Sequence, residues 1–485
     1  MAGRRPPDHR RRVGIRAALL RPRQRRRRTA GRGAAGGRRV DGARRPRDRT
    51  ARCERRRGHG REHGSSRDGD VAVKLPQRGR SAAAILDELD AMQADDVDWK
   101  SGRAFSLAYY PGPDAYALGS EACARFQSSN GLNTAAFPSL RRMQADVVAM
   151  MADLLHGGAE AAGFMTSGGT ESILLAVKAA RGRGRERGIE APEMVLPTSA
   201  HAAFEKAAAY FGVKAVRVPV RDDFRADPRA MADAVTPDTV LLVGSAPQYP
   251  QGVVDPIADI AAIALERGVS CHVDACMGGV TLPMLERLGH PIPPFDLRVP
   301  GVTSISVDLH KYGYAAKGAS VLLHRNKELR KHQTFVTDNW LGGLYGSSGI
   351  LGTKSGGPIA GAWAVMTYLG EDGYLRLTRE ARAATEALLA GLRAIPGLRV
   401  LAEPDATLLS FTCDDPSLDA FAIGDALGKR GWVVDQQKPP PSLHGTVNAV
   451  HGKVIPEFLA TLREVVDEQR GRGATAAQQA YGTVE

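Results

Sequence analysis

Between residues 164 and 325 the chain alternates short apolar runs, rich in β-branched residues, with stretches of helical length. The runs at 194–196, 215–218, 240–243, 269–273, 304–307 and 320–323 have strand length, and helix-length stretches at 171–185, 203–211 and 257–267 separate several of them. That alternation predicts an α/β fold with a mostly parallel central sheet flanked by helices on both faces. In such sheets ligands bind beyond the carboxyl ends of the strands, so the loops after these runs are where chemistry is expected.

The flanks are organised differently. Residues 81–92 read as a helix with Ala84, Ile85, Leu86, Leu89 and Met92 along one face, followed by the turn-rich Pro111-Gly112-Pro113 and Ser128-Ser129-Asn130-Gly131. A second helix is expected from Pro138 to about Leu155, with Ser139 as its N-cap. After the core, helices at 357–366 and 374–392, strands around 398–412 and helices at 419–429 and 456–469 predict a smaller α+β carboxyl-terminal domain. The expected division is 1–72, a tail; 73–138, a helical and loop segment; 139–375, a large ligand-binding domain; and 376–485, the small domain.

The net positive charge sits almost entirely in one place. Residues 1–70 hold 25 Arg, no Lys and 7 acidic residues, a balance of +18 against +13 for the whole chain, so the body is mildly acidic. Rich in Gly and poor in apolar residues, this tail buries too little surface to offset chain entropy and is expected to be disordered. Three accounts compete: a mis-called start in a GC-rich gene, a nucleic-acid-binding arm and a targeting peptide. Nucleic acid enters as a partner only if the tail is real. The apolar patch at 15–20 is broken by Arg16 and too short for a secretory signal, and no run approaches the ~20 residues that span a bilayer. Five scattered cysteines, with no CxxC pair and no histidine at zinc-finger spacing, point to a reducing cytoplasm and to no metal site.

Four motifs lie at the expected strand ends. Asp308-Leu309-His310-Lys311-Tyr312 places a lysine where it can form an imine with an aldehyde cofactor, although a solvated loop lysine has the same local sequence. His272-Val273-Asp274-Ala275-Cys276 places a carboxylate at a buried strand end, where it needs a charged or hydrogen-bonded partner; a protonated pyridine nitrogen, a metal or a helix cap would each serve. Thr166 to Ser172, Thr-Ser-Gly-Gly-Thr-Glu-Ser, opens a helix with small residues. It suits an anion at the helix start, or simple capping by Thr170. His201, in Ser199-Ala200-His201-Ala202-Ala203-Phe204, can stack on a ring, move protons, or cap a helix.

Taken together, from about Phe105 to His451, these blocks resemble the group II pyridoxal-phosphate-dependent decarboxylases, and within them the sphingosine-1-phosphate lyase branch. Gly278-Gly279, Phe295-Asp296, Gly301 to Ser306 and Lys317-Gly318 extend the match in the same order. The resemblance implies a fold-type I enzyme, a homodimer with shared active sites, pyridoxal 5'-phosphate as cofactor and a small-molecule amine or amino acid as substrate. It implies Lys311 as the Schiff-base lysine, Asp274 as partner of the pyridine nitrogen and His201 as the group stacked on the ring. Gly169 and Thr170 would hold the cofactor phosphate, with His310 nearby and Ser347 reaching it from the other subunit. Tyr109, Asn130 and Lys317 match positions on the substrate side.

Two positions depart from that branch: Asn133 and Gln251 stand where its members typically have histidine. An amide hydrogen-bonds a phosphate but cannot take up a proton near neutral pH. The leading expectation is a carbon–carbon lyase acting at Cα of an amine, with His201 or Lys317 as the base for a β-hydroxyl. Amino-acid decarboxylation, a cofactor-binding scaffold without turnover and a nucleic-acid-binding protein are the alternatives.

Overall fold

The computed structural model describes residues 74–470. The arginine-rich tail, with the expectation of disorder attached to it, lies outside the described residues. Among the described residues, 80–470 belong to one compact unit.

In chain order the elements are α1 (Ala82–Met92), α2 (Pro113–Phe126), α3 (Pro138–Leu154), β1 (Ala162–Thr166), α4 (Gly169–Glu186), β2 (Glu193–Pro197), α5 (Ala203–Phe211), β3 (Lys214–Val218) and α6 (Pro228–Asp233). Then come β4 (Thr239–Ser245), α7 (Ile257–Arg267), β5 (Ser270–Asp274), α8 (Thr281–Arg287), β6 (Ser304–Val307), β7 (Ser320–His324), α9 (Lys327–Arg330), β8 (Phe335–Thr337) and β9 (Tyr345–Ser347). The last part holds α10 (Gly357–Arg393), β10 (Leu398–Val400), β11 (Leu408–Cys413), α11 (Ala420–Gly428), β12 (Asp435–Gln437), β13 (Ser442–Thr446) and α12 (Ile455–Arg470).

The central sheet has the order β1-β7-β6-β5-β4-β2-β3. Its β3-β2-β4-β5-β6 stretch is parallel, and β7 and β1 add antiparallel at one edge. Side chains of a strand alternate between faces. In β4, Leu241 and Val243 pack with Leu174, Val177 and Phe204 of α4 and α5, while Leu242 between them joins the larger cluster on the opposite face. Burial on both sides is why the inner strands β2, β4, β5 and β6 read as largely apolar runs, whereas β3, at the edge, is partly exposed.

A four-stranded antiparallel sheet, β10-β11-β13-β12, forms the small carboxyl-terminal layer. Its core joins Phe411 and Leu443 to Leu388 and Leu392 of α10 and Phe458 of α12. Phe105 enters this cluster from the amino-terminal side, 4.6 Å from the Phe458 ring, and its N–H donates to the Val433 carbonyl at 2.9 Å. The segment bearing Tyr109 is thereby fixed against the small sheet.

Several local expectations change. Pro138, not Ser139, opens α3, because proline lacks the N–H that the first helical position leaves unbonded; Phe137 is the N-cap. The helices expected at 357–366 and 374–392 are the two arms of α10, which meet at a kink where Gly370 leaves helical geometry with a φ of 57°, a value only glycine adopts readily. The strand β1 gave little signal, since Gly163 sits inside it; a Cβ there would come within 2.6 Å of Leu323 Cδ2 on β7. Helix α1 has Ser81 as its N-cap, yet Ile85, Leu86, Leu89 and Met92 are all exposed. No helix among the described residues is long and apolar enough to cross a membrane.

Candidate active site

The carboxyl ends of β1, β4, β5 and β6 surround a cavity of about 420 Å³, lined among others by Gly169, Thr170, His201, Asp274, His310 and Lys311. Residues as far apart in sequence as Ser167 and Lys311 thus converge where the parallel strands end.

Thr166 ends β1, and Ser167-Gly168 turn directly into α4. The N-cap is Gly168, which offers no side chain, so the first amides of an 18-residue helix carry no side-chain cap. Thr170 is the second helical residue, which removes the reading of it as the cap. Uncapped amides and the helix dipole favour an anion here. Gly169 is required by space: a Cβ would lie 2.7 Å from Asp308 Oδ2 and 2.8 Å from Cys276 Sγ.

Asp274 is the last residue of β5. Its Oδ1 accepts the Cys276 N–H at 3.1 Å and the Ser306 hydroxyl at 3.3 Å, which orients the carboxylate at the cavity wall. Cys276 is buried, with its thiol pushed well up by burial, and behaves as a neutral packing group.

Lys311 follows β6 by four residues. Its Nζ lies 3.0 Å from Asp308 Oδ2, and the side chain keeps 24% of its surface, directed to the cavity. Burial by itself would lower the ammonium pKa, but Asp308 and then Asp274 outweigh it and hold the pKa above the ordinary lysine range. Asp308 is buried; this disfavours its charge, but Lys311 and the Ser320 hydroxyl, 2.5 Å away, keep it ionised. Nothing in the motif Asp308-Leu309-His310-Lys311-Tyr312 marks Asp308 for this role, because its partner Ser320 lies on another strand, β7.

His201 accepts the Ala203 N–H on Nδ1 at 3.1 Å. Burial lowers its pKa, with Asp274 opposing and Lys311 reinforcing that effect. A neutral ring whose Nδ1 is an acceptor carries its proton on Nε2. His310, lowered by burial to about 4, is also neutral, and its buried Nδ1 has no hydrogen-bond partner among the described residues. Beside the uncapped start of α4, this is the polar atom a bound phosphate would satisfy.

Lys317 and Tyr109 line a second space of about 420 Å³ that shares the His310 wall. Lys317 Nζ donates to the Leu107 carbonyl at 2.7 Å and stands 5.2 Å over the Tyr109 ring. Burial and the neighbouring Lys311 lower its pKa to about 8. Leu107 adopts a φ of 66°, a left-handed turn that presents this carbonyl.

Asn130 and Ser347 are not on these walls. Asn130 Oδ1 accepts the Leu132 N–H, and the Ser347 hydroxyl donates to the Gly349 carbonyl. Gln251 is buried and pairs with Gln248 through two 2.8 Å hydrogen bonds, off the cavity, and Asn133 holds the Ala136 N–H. Tyr249, which no sequence motif marks, does line the cavity; its hydroxyl donates to Asp435 at 2.5 Å.

Cavity and residues fit a phosphorylated pyridine aldehyde: an anion cradle, an oriented carboxylate and a lysine at one wall. The conserved domain of the pyridoxal-dependent decarboxylases matches residues 67–414. A sphingosine-1-phosphate lyase from Oryza sativa subsp. japonica is 42% identical over 413 residues, 83% of this chain and 76% of that protein. Its counterpart from Rattus norvegicus is 41% identical over 404 residues, covering 83% and 71%. The solved Burkholderia pseudomallei sphingosine-1-phosphate lyase has a TM-score of 0.79 at 42% identity, over 82% of this chain and 93% of that one. A Lactobacillus brevis glutamate decarboxylase, at 20% identity and TM-score 0.74 over 85% and 97%, shares the fold. With fold, cavity and sequence in agreement, the chain belongs to the pyridoxal-dependent decarboxylase family, as a fold-type I, pyridoxal-phosphate-dependent lyase resembling sphingosine-1-phosphate lyase.

Proposed function

We propose that this enzyme breaks a carbon–carbon bond at Cα of an amino-alcohol phosphate or related amine, with Lys311 as the cofactor lysine. The observation carrying this reading is the convergence, in one cavity, of the Lys311 amine, the oriented Asp274 carboxylate and the uncapped start of α4 beside the unpartnered His310 Nδ1.

When bound, the cofactor supplies an electron sink for the pair left by the broken Cα bond. Lys311 would hold its aldehyde carbon covalently and yield it to the substrate amine. Gly169 and Thr170 would hold the phosphate, with His310 Nδ1 as donor, and Asp274 would hold the proton of the pyridine nitrogen. His201 would be the ring's stacking partner. Its Nδ1 already accepts the Ala203 N–H, so it is not the group that takes the β-hydroxyl proton. That leaves Lys317, whose amine is free of its proton in an appreciable fraction near pH 8.

A homodimer and a reducing, cytoplasmic setting belong to the same proposal. Phe335, Val336, Trp340, Leu341 and Leu344 on and between β8 and β9 expose apolar surface in the single chain, as does α1. Ser347 and Asn130 do not line the cavity of their own chain, which supports the reading that they would serve the site of a second copy. Cys123, Cys271, Cys276 and Cys413 are free thiols.

The test is reduction of the yellow protein with borohydride and peptide mapping. The cofactor should be fixed on Lys311, and a tag on another lysine refutes the assignment. Incubation with phosphorylated amino alcohols should release an aldehyde; carbon dioxide from amino acids instead would mark a decarboxylase.

A further inference from the structure

Glu171 holds two parts of the molecule with one carboxylate. Its Oε2 accepts both the N–H and the hydroxyl of Ser167, each at 2.6 Å, and its Oε1 accepts the N–H of Ile350 at 2.7 Å. Ser167 leads into the anion cradle; Ile350 lies three residues beyond Ser347. Glu171 is 7% exposed, and the fit around it is close: a Cβ on Gly349 would come within 3.0 Å of Oε1.

A second tie runs beside the first. Lys354 Nζ donates to the Met165 carbonyl at 3.0 Å and lies 4.4 Å over the Phe164 ring, both on β1. The Lys354 carbonyl accepts the N–H of Gly131 at 2.7 Å, next to Asn130, and Asn130 bridges Ser355. Segment 345–355 therefore carries Ser347, braces the Asn130 loop, and is fastened at two points to the junction of β1 and α4. A buried carboxylate is satisfied only while its donors stay in place, so movement of Ser167 or of Ile350 leaves charge unpaired.

We propose that Glu171 is a positioning residue that couples occupancy of the anion cradle to the order of segment 345–355. The inference rests on the cofactor phosphate lying at Gly169 and Thr170. An anion on the first amides of α4 fixes the turn containing Ser167; through Glu171 the fixed turn fixes Ile350 and the residues around it. Since neither Ser347 nor Asn130 lines the cavity of its own chain, filling one cradle prepares residues offered to a second copy.

Hydrogen exchange on the full chain, with and without pyridoxal 5'-phosphate, tests this. Loading, followed by visible absorbance, should slow amide exchange across 345–350 about tenfold in the wild type, the equivalent of one charge-assisted hydrogen bond. Glu171→Gln must turn its NH2 toward one of the donors; it should still load but lose that slowing. Ile350→Pro removes only the donor on the segment side, leaves the cradle's own protection on loading intact, and should abolish the slowing at 345–350 equally. That variant decides the matter if Glu171→Gln does not fold. Wild-type loading without slowing, or slowing retained in both variants, overturns the coupling. Failure of the wild type to load at all overturns the phosphate assignment together with it.

Discussion

Lys311 Nζ stands 3.0 Å from Asp308 Oδ2, so the amine that must attack an aldehyde carbon is held as an ammonium by a buried carboxylate three residues before it. Capture requires the neutral amine, and a nearby negative charge raises an ammonium pKa. In Asp308→Asn, burial acts with less opposition, and the pKa of Lys311 falls. The pH profile for capture of pyridoxal 5'-phosphate by the apoprotein, read as the rate of growth of visible absorbance, should move to lower pH by about one unit or more. An unmoved profile would show that the pair does not set the state of Lys311.

Lys317 gives a second pH signature. Its ammonium loses its proton near pH 8, so kcat/KM should rise with pH through that value if the neutral amine takes up the β-hydroxyl proton. Lys317→Arg keeps the positive charge but cannot release it in this range. Steady-state assays across pH 6.5–9.5 should show kcat lowered by about a hundredfold or more and the limb near pH 8 gone. Persistence of the limb in this variant would assign the proton to another group.

The cradle depends on the absence of one methyl group. A Cβ at residue 169 meets Asp308 Oδ2 and Cys276 Sγ at 2.7 and 2.8 Å, both on buried side chains. Gly169→Ala should therefore push the start of α4 away from Asp308 and weaken cofactor affinity about tenfold or more, while far-UV circular dichroism stays close to that of the parent. Fluorescence titration of the apoprotein measures it; unchanged affinity would place the phosphate elsewhere.

These sites differ in how plainly the sequence announced them. The parallel strands β2, β4, β5 and β6 were legible because burial on both faces favours apolar residues along the strand. Edge strand β1, interrupted by Gly163, was not. Lys311, Asp274 and Gly169 could be found because strand ends are where an open sheet gathers ligands. Asp308 stood in the same motif, but its function depends on a 3.0 Å contact and on Ser320 of a neighbouring strand. Glu171 read as an ordinary acidic residue in a helix's first turn, where the dipole alone would account for it; Ile350, its second partner, is 179 positions away. Gln251 looked like a change in the substrate site, and only the fold shows it closed against Gln248.

Asp255 ties pH to stability away from the site. Buried after β4, it accepts the N–H groups of Ala226 and Ser245, each at 2.8 Å, and lies near Arg225. Burial nevertheless prevails and raises its pKa to about 6 from an ordinary 3.8. The folded protein thus binds this proton more tightly than the unfolded chain. The resulting stability is fully present below pH ~4 and is lost as pH rises through about 6. The difference should be of order 2–3 kcal/mol. Asp255→Asn removes the titration. Urea unfolding at pH 4.5 and pH 7 should show the wild type losing more stability over this interval than the variant, by up to that amount. Parallel loss in both proteins would mean that the native hydrogen bonds to Ala226 and Ser245, rather than burial, dominate the Asp255 carboxyl.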